Sequence, residues 1–156
     1  MMEYAIVRVD RENYPKFDEM VFGRIHGREK TDRERGTAQD FDAVYEALGN
    51  GNLFVFAASA EGTFIGWISL VYIPKVGRTK GKGHLFIDEL WVSSPFRRKG
   101  IADALMAKAD ALSKEQNMLG LRLYVNTANH EAISFYQTCG YAKQGEALFM
   151  EKTQGD

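Results

Sequence analysis

Residues 85–102 read Leu85-Phe86-Ile87-Asp88-Glu89-Leu90-Trp91-Val92-Ser93-Ser94-Pro95-Phe96-Arg97-Arg98-Lys99-Gly100-Ile101-Ala102. Apolar, β-branched and aromatic residues dominate Leu85 to Val92, which predicts a strand with two acids in its middle. Ser93-Ser94-Pro95 ends it, since proline cannot extend a ladder. Beyond Gly100, Ile101, Leu105, Ala109 and Leu112 recur at helical spacing as far as Asn117, and Gly120 then opens an alternating strand, Leu121 to Val125. The order is strand, basic turn, helix, strand. A tight turn entering a helix presents unpaired backbone N–H groups at the positive end of the helix dipole. Small residues at Gly100 and Ala102 let a bulky anion approach that backbone, so the turn suits a pyrophosphate. Neither the nucleotide P-loop spacing nor the three spaced glycines of a dinucleotide fingerprint is present. Taken alone, the turn reads equally well as a solvated basic loop.

Outward from this segment, Tyr4 to Val9 predicts a first strand, and Glu12 to Gly27 an amphipathic helix that starts near Pro15. Arg28 to Gly36 carries both charge signs and is expected to be exposed. Gln39 to Leu48 places Phe41, Val44, Tyr45 and Leu48 on one helix face, with Asp40, Asp42 and Glu46 on the outer one. Leu53 to Ala58 and Phe64 to Ile73 form a strand pair about the turn Glu61-Gly62. Lys75, Arg78, Lys80 and Lys82 lie in a loop from Pro74 to Gly83 without interleaved aromatics, the pattern of a solvated turn. The last third gives a helix from His130 to Thr138, stopped by Gly140, then Tyr141-Ala142 and Leu148 to Lys152 as a closing hairpin. Strands that first pair locally and then alternate with helices indicate a mixed α/β sheet.

The 156 residues carry 20 Lys+Arg against 21 Asp+Glu and are 45% hydrophobic, which fits one globular domain spanning 1–156. The net charge of −1 lacks the basic footprint of a nucleic-acid binder. The longest apolar run, Leu53 to Ala58, is far short of the ~20 residues that cross a bilayer, and Met1-Met2-Glu3-Tyr4 lacks the order of a signal peptide. No membrane partner and a cytoplasmic location are expected. Cys139, the single cysteine, sits at a helix end where the dipole disfavours thiolate, so it reads as packing. His26, His84 and His130 match no metal spacing.

Two further segments accompany the basic turn: Asp88-Glu89-Leu90-Trp91-Val92 before it, and Asn129-His130-Glu131-Ala132-Ile133-Ser134-Phe135-Tyr136 with Gly140-Tyr141 after it. Together they resemble the GCN5-related N-acetyltransferase (GNAT) superfamily. Arg97, Gly100 and Ala102 match its acyl-CoA loop, [QR]-x-x-G-x-[GA]. Asn129, Ala132, Phe135, Tyr136, Gly140 and Tyr141 match its later N-x-x-A-x-x-F-Y-x-x-x-G-[FY] segment. The resemblance implies a mixed α/β, or α+β, fold: a mostly antiparallel sheet of six to seven strands, splayed at the fourth and flanked by about four helices. It implies that acetyl-CoA is the co-substrate. The pantetheine arm would lie along Leu90, Trp91 and Val92, and the pyrophosphate on Arg97, Arg98, Lys99, Gly100, Ile101, Ala102 and Asp103, with Asn129 and Tyr136 also lining the cofactor. In the family this tyrosine protonates the leaving thiolate, a step uphill by only about 2 kcal/mol from a phenol of pKa ~10 to a thiol of pKa ~8.5.

The acceptor is the larger demand. An alkylamine of pKa ~10.4 is neutral in about one molecule per thousand near pH 7.4, a cost of roughly 4 kcal/mol, so a carboxylate is needed nearby. Asp88 and Glu89 are adjacent in a strand and are expected on opposite faces, so one of them serves. Glu89 is favoured for its reach and Asp88 stays as the alternative. The implied activity is transfer of acetyl from acetyl-CoA to a primary amine, of a small molecule first or of a peptide or protein second. A non-catalytic CoA-binding sensor is the rival reading. No metal and no nucleic acid are called for, and a homodimer is compatible with the resemblance.

Overall fold

A computed structural model describes residues 2–35 and 41–155, apart from the side chains of Phe41, Asp42 and Tyr45. Gln39, Asp40 and the side chain of Asp42, named above for the second helix and its acidic face, therefore lie outside the described residues. The chain divides into two compact units after Tyr124.

The first unit contains β1 (Ala5–Arg8), α1 (Tyr14–His26), α2 (Asp32–Arg35), α3 (Phe41–Leu48), β2 (Leu53–Ala60), β3 (Thr63–Ile73), β4 (His84–Val92), α4 (Ile101–Glu115) and β5 (Leu121–Leu123). Its sheet runs β1-β2-β3-β4-β5, antiparallel as far as β4, while β5 lies parallel to β4. The parallel pair follows from the connection, because α4 carries the chain back along the sheet before β5 begins. Between β2 and β3, Glu61 and Gly62 both take positive φ (50° and 79°), as a two-residue turn requires to match the twist of its strands.

Alternation along the strands makes two cores. Val55, Ala57 and Trp67 face α1, where Met20 is buried and Phe17, Val21 and Leu48 pack around them. The other face takes α4, which buries Ile101, Leu105, Met106, Ala109 and Leu112 and sets the Lys108 ammonium 5.3 Å from the Phe56 ring centre. The charged stretch after α1 is not simply exposed. Lys30 is buried, pairs with Asp18 of α1 and lies 5.5 Å from the Phe22 ring, and Arg35 Nε donates to Glu19 Oε1 at 2.6 Å. Ion pairs to a helix well upstream thus draw this segment inward. The loop from Pro74 to Gly83 is a short exposed turn around Thr79 and Lys80, and Val76 is fully exposed.

The second unit holds α5 (His130–Thr138), with the boundaries its sequence predicts. Its end is set by Gly140 at φ 92°: the Gly140 N–H donates to Gln137 O at 3.0 Å and the Tyr141 N–H to Tyr136 O at 3.0 Å. This pair of bonds satisfies the last carbonyls of a helix and calls for a left-handed residue, which glycine supplies. The closing hairpin expected after it is not formed. No strand occurs in 141–155, so the sheet has five strands among the described residues rather than six or seven. A strand exists only through a partner's ladder. Tyr141 is committed to the helix end, and Leu148, Phe149 and Met150 are consecutive apolar residues, all exposed, rather than an alternating face.

Candidate active site

The acids of β4 sit at an irregularity. Leu70 of β3 pairs with Ile87 and its neighbour Ser69 pairs with Glu89, so Asp88 is an extra residue, a β-bulge. The assumption that Asp88 and Glu89 alternate across a regular strand therefore fails. Glu89 shares a face with Ser69, which is the face of Trp67, Trp91 and α1, while Asp88 is exposed at the bulge.

The same point is where the sheet opens. Pairing between β4 and β5 runs from Leu85–Leu121 to Ile87–Leu123 and stops there. From Asp88 to Val92 the strand has β3 on one side and no partner strand on the other, among the described residues. Leu90 and Trp91 are half-buried and Val92 is buried along this stretch. A free strand edge is a row of backbone donors and acceptors that an amide-bearing chain can satisfy as an added strand would.

The basic turn follows. Pro95 lies in a short 3-10 turn, Ser94–Phe96, after which Arg97 Nε donates to Val92 O at 2.9 Å. Arg97 thus folds the turn against the end of β4. Arg98 takes φ 60°, Lys99 sits 5.8 Å from the Phe96 ring, and Gly100 takes φ 83° as the residue before α4. The first ladder bond of α4 runs from Ala104 N to Gly100 O at 3.0 Å, and Tyr4 Oη donates to the same oxygen at 3.4 Å. The N–H groups of Gly100, Ile101 and Ala102 precede that bond, and Gly100 at the cap position has no side chain to accept from them. A Cβ built on Gly100 meets no atom within 4 Å, so the backbone there is open to a bulky group. Ala102 is half-buried and Asp103 exposed in the first turn. These features fit the pyrophosphate of acetyl-CoA: open N–H groups, the positive end of a 15-residue helix and three flanking cations.

On the α1 face stands a group the sequence reading did not single out. Trp67 and Trp91 are cross-strand partners with ring centres 5.0 Å apart. The Arg24 guanidinium lies 5.1 Å from the Trp67 ring and 5.6 Å from the Trp91 ring, and its Nη1 is 3.6 Å from Glu89 Oε2. Phe17 meets Trp67 edge-on at 5.5 Å. The available signal was the spacing of Phe17, Met20 and Arg24, which puts the arginine on the apolar stripe of α1.

In the second unit, Asn129 precedes α5 and its Oδ1 accepts the Ala132 N–H at 3.1 Å. Ala132 and Tyr136 are half-buried, and His130 is exposed. The Tyr136 ring packs against Phe135 (5.5 Å) and Tyr141 (6.1 Å). Burial, with a smaller effect of Cys139, pushes the phenol above its ordinary pKa, so it is protonated across the neutral range. Cys139 is half-buried at the helix end.

Among the described residues no group of three His, Cys, Asp or Glu side chains is placed to hold a metal ion, and no helix is long and apolar enough to cross a membrane.

Comparison with known proteins adds the lineage. The streptothricin acetyltransferase of Escherichia coli is 35% identical over 68 residues, 44% of this chain and 39% of that protein. The chain spans less than half the length of the curated relatives it matches. An aminoglycoside acetyltransferase from an uncultured soil metagenomic sample, solved with trehalose, superposes with a TM-score of 0.80 over 97% of both chains at 18% identity. The aminoglycoside acetyltransferase AAC(6')-Iy, solved with the bisubstrate analogue CoA-S-monomethyl-acetylneamine, gives 0.76 over 97% of this chain and 99% of its own at 16% identity. These two likenesses establish the fold. The model of the acetyltransferase (GNAT) family matches residues 20–141, across the bulged strand, the basic turn and the tyrosine helix, and the chain belongs to that family.

Proposed function

We propose that the chain is an N-acetyltransferase that moves acetyl from acetyl-CoA directly to the primary amine of a small molecule. The observation that carries this reading is the adjacency of two open backbone sites: the unpaired edge of β4 from Asp88 to Val92, and the uncapped start of α4 a few residues later. The backbone of Leu90, Trp91 and Val92 would hold the pantetheine arm, and the turn from Arg97 to Asp103 the pyrophosphate. Acetyl-CoA supplies the activated acyl group.

Glu89, directly or through a water, takes the proton from the acceptor's ammonium, and Asp88 at the bulge is the alternative base. A backbone N–H between Leu90 and Val92 stabilises negative charge on the thioester oxygen. Tyr136 gives a proton to the departing sulfur. The burial that raises its pKa makes that transfer more uphill than between free groups, yet keeps the donor fully protonated. Asn129 orders the start of this helix by accepting the Ala132 N–H, and would line the cofactor as the family motif implies. The family match runs across the division after Tyr124, which supports residues 1–156 working as one domain. Similarity to proteins named for streptothricin and aminoglycosides supports a small, amine-bearing acceptor over a peptide one. The cytoplasm is the proposed location, and a homodimer the proposed assembly to test by sedimentation.

The deciding experiment is a panel of small amines and peptides with acetyl-CoA, followed by release of free thiol. Turnover with small amines is the expected result. Thermal stabilisation by acetyl-CoA without thiol release from any amine would replace this reading with that of a CoA-binding sensor.

A further inference from the structure

The Arg24 guanidinium rests against two indoles and beside one carboxylate, the chemistry by which proteins recognise a cation. We propose that Trp67, Trp91 and Glu89 form the subsite for the acceptor's ammonium group, that Arg24 fills it in the free protein, and that a cationic acceptor displaces Arg24 on binding. The proposal rests on the acetyltransferase reading above for the identity of the cation, and on the α1 face alone for the site.

Four observations support it. First, Arg24 is held loosely. Its 3.6 Å approach to Glu89 is too long for a hydrogen bond, and the guanidinium makes none among the described residues. The two side chains are 41% and 53% exposed, so solvent screens their attraction. Second, the indole walls are packed while the occupant is partly exposed. Trp67 is 2% exposed and braced edge-on by Phe17, and Trp91 is its partner across the ladder. Arg24 lies in the last turn of α1, three residues before the left-handed Gly27 that ends the helix, on a long side chain that can swing outward. Third, a compact ammonium reaches hydrogen-bond distance from Glu89 while facing the same indoles, which the flat guanidinium does not achieve here. Fourth, Glu89 lies where β4 loses its β5 partner, so a cation in this box sits beside the proposed thioester position. Arg24 then acts as a built-in competitor, favouring acceptors whose cation outbids it and keeping the buried indole covered otherwise.

Trp67 and Trp91 are the only two tryptophans in the chain, so intrinsic tryptophan emission reads this box without any turnover. Propylammonium, titrated without acetyl-CoA, is expected to change the emission of Arg24→Met saturably, with a Kd about tenfold below that of the wild type. Propanol, its neutral counterpart, leaves the emission unchanged, and Arg24→Met combined with Glu89→Gln loses the response. In turnover, Arg24→Met lowers KM for cationic amines about tenfold. If propylammonium binds Arg24→Met no more tightly than the wild type, or propanol acts as propylammonium does, the box is not a cation site. A KM that rises instead makes Arg24 a group that holds substrate and overturns displacement. Should Arg24→Met not fold, Arg24→Gln, which keeps a long side chain but carries no charge, serves the same test and is expected to bind propylammonium more tightly than the wild type does. If no form of the protein turns over any amine, the acetyltransferase reading fails while the emission titration still decides the box.

Discussion

The helices α4 and α5 begin in opposite ways. At α5 the Asn129 side chain already accepts the Ala132 N–H, and at α2 the closure is double: Thr31 Oγ1 accepts the Glu34 N–H at 3.2 Å while Glu34 Oε2 accepts the Thr31 N–H at 2.8 Å. Both starts are completed by the chain's own side chains, as a capping residue or a capping box does. At α4 the residue before the helix is Gly100, which has no side chain to offer and whose left-handed φ turns the backbone into the helix. Relative to glycine a side-chain cap is worth only a few tenths of a kcal/mol, and the left-handed φ of Gly100 strains most residues that could supply one. Starting the 15-residue α4 on a glycine leaves its first N–H groups accessible, which is what an anionic ligand needs.

The largest expected effect is at that open start. In Gly100→Val the branched side chain fills the space over the N–H groups, and acetyl-CoA affinity should fall by more than about a hundredfold in calorimetry. The positive φ adds a penalty of about 1–2 kcal/mol, visible as a lower Tm, so binding is compared with a control of equal Tm. Next is the helix with the closed start. Tyr136→Phe should lower kcat by about a hundredfold while acetyl-CoA affinity hardly moves. Because burial raises this phenol, the alkaline fall of kcat should lie above pH 10, the ordinary value. A fall centred below 10 removes Tyr136 as the acid.

A smaller effect separates capping from cofactor contact. Asn129→Ala should cost about 1 kcal/mol by denaturant unfolding, and Asn129→Asp, which keeps an acceptor, should restore it. If Asn129→Asp is fully stable yet binds acetyl-CoA tenfold more weakly, the side chain serves the ligand as well as the helix. The smallest concerns α2. Arg28 and the Thr31 N–H together hold the Glu34 carboxyl at about 2. Since this folded value lies below the ordinary 4.5, the stabilisation is complete above pH 4.5 and is lost as pH falls through about 2. Carbon-13 shifts of the Glu34 carboxyl check it, and a midpoint near 4.5 would show that the box is open in solution.

What the sequence made legible is what depends on near neighbours. The start of α5 at Asn129, its stop at Gly140, and the turn at Glu61-Gly62 all follow from residues within one helical turn or one hairpin. What it hid depends on distant partners. Lys30 reads as one more cation in a charged run, and only Asp18 and the Phe22 ring, about two to three helical turns upstream, explain its burial. Leu148 to Lys152 has a strand's composition but no ladder. The faces of Asp88 and Glu89 follow alternation only if the register is unbroken, and it breaks at Asp88, between the paired Ile87 and Glu89. Arg24 and Trp67 lie on separate elements, so their meeting over Glu89 is a product of the fold.

The one-residue surplus at Asp88 has an evolutionary side. A chain lacking that residue would pair Ile87 and Glu89 with Leu70 and Ser69 in unbroken register, giving a more regular sheet at the expense of the site built on its irregularity. Selection for heat resistance alone would reward such a deletion, whereas selection for turnover would reject it, so stability and activity pull on this position in opposite directions. A deep mutational library sorted once for folding and once for acetyl transfer should part company most sharply here.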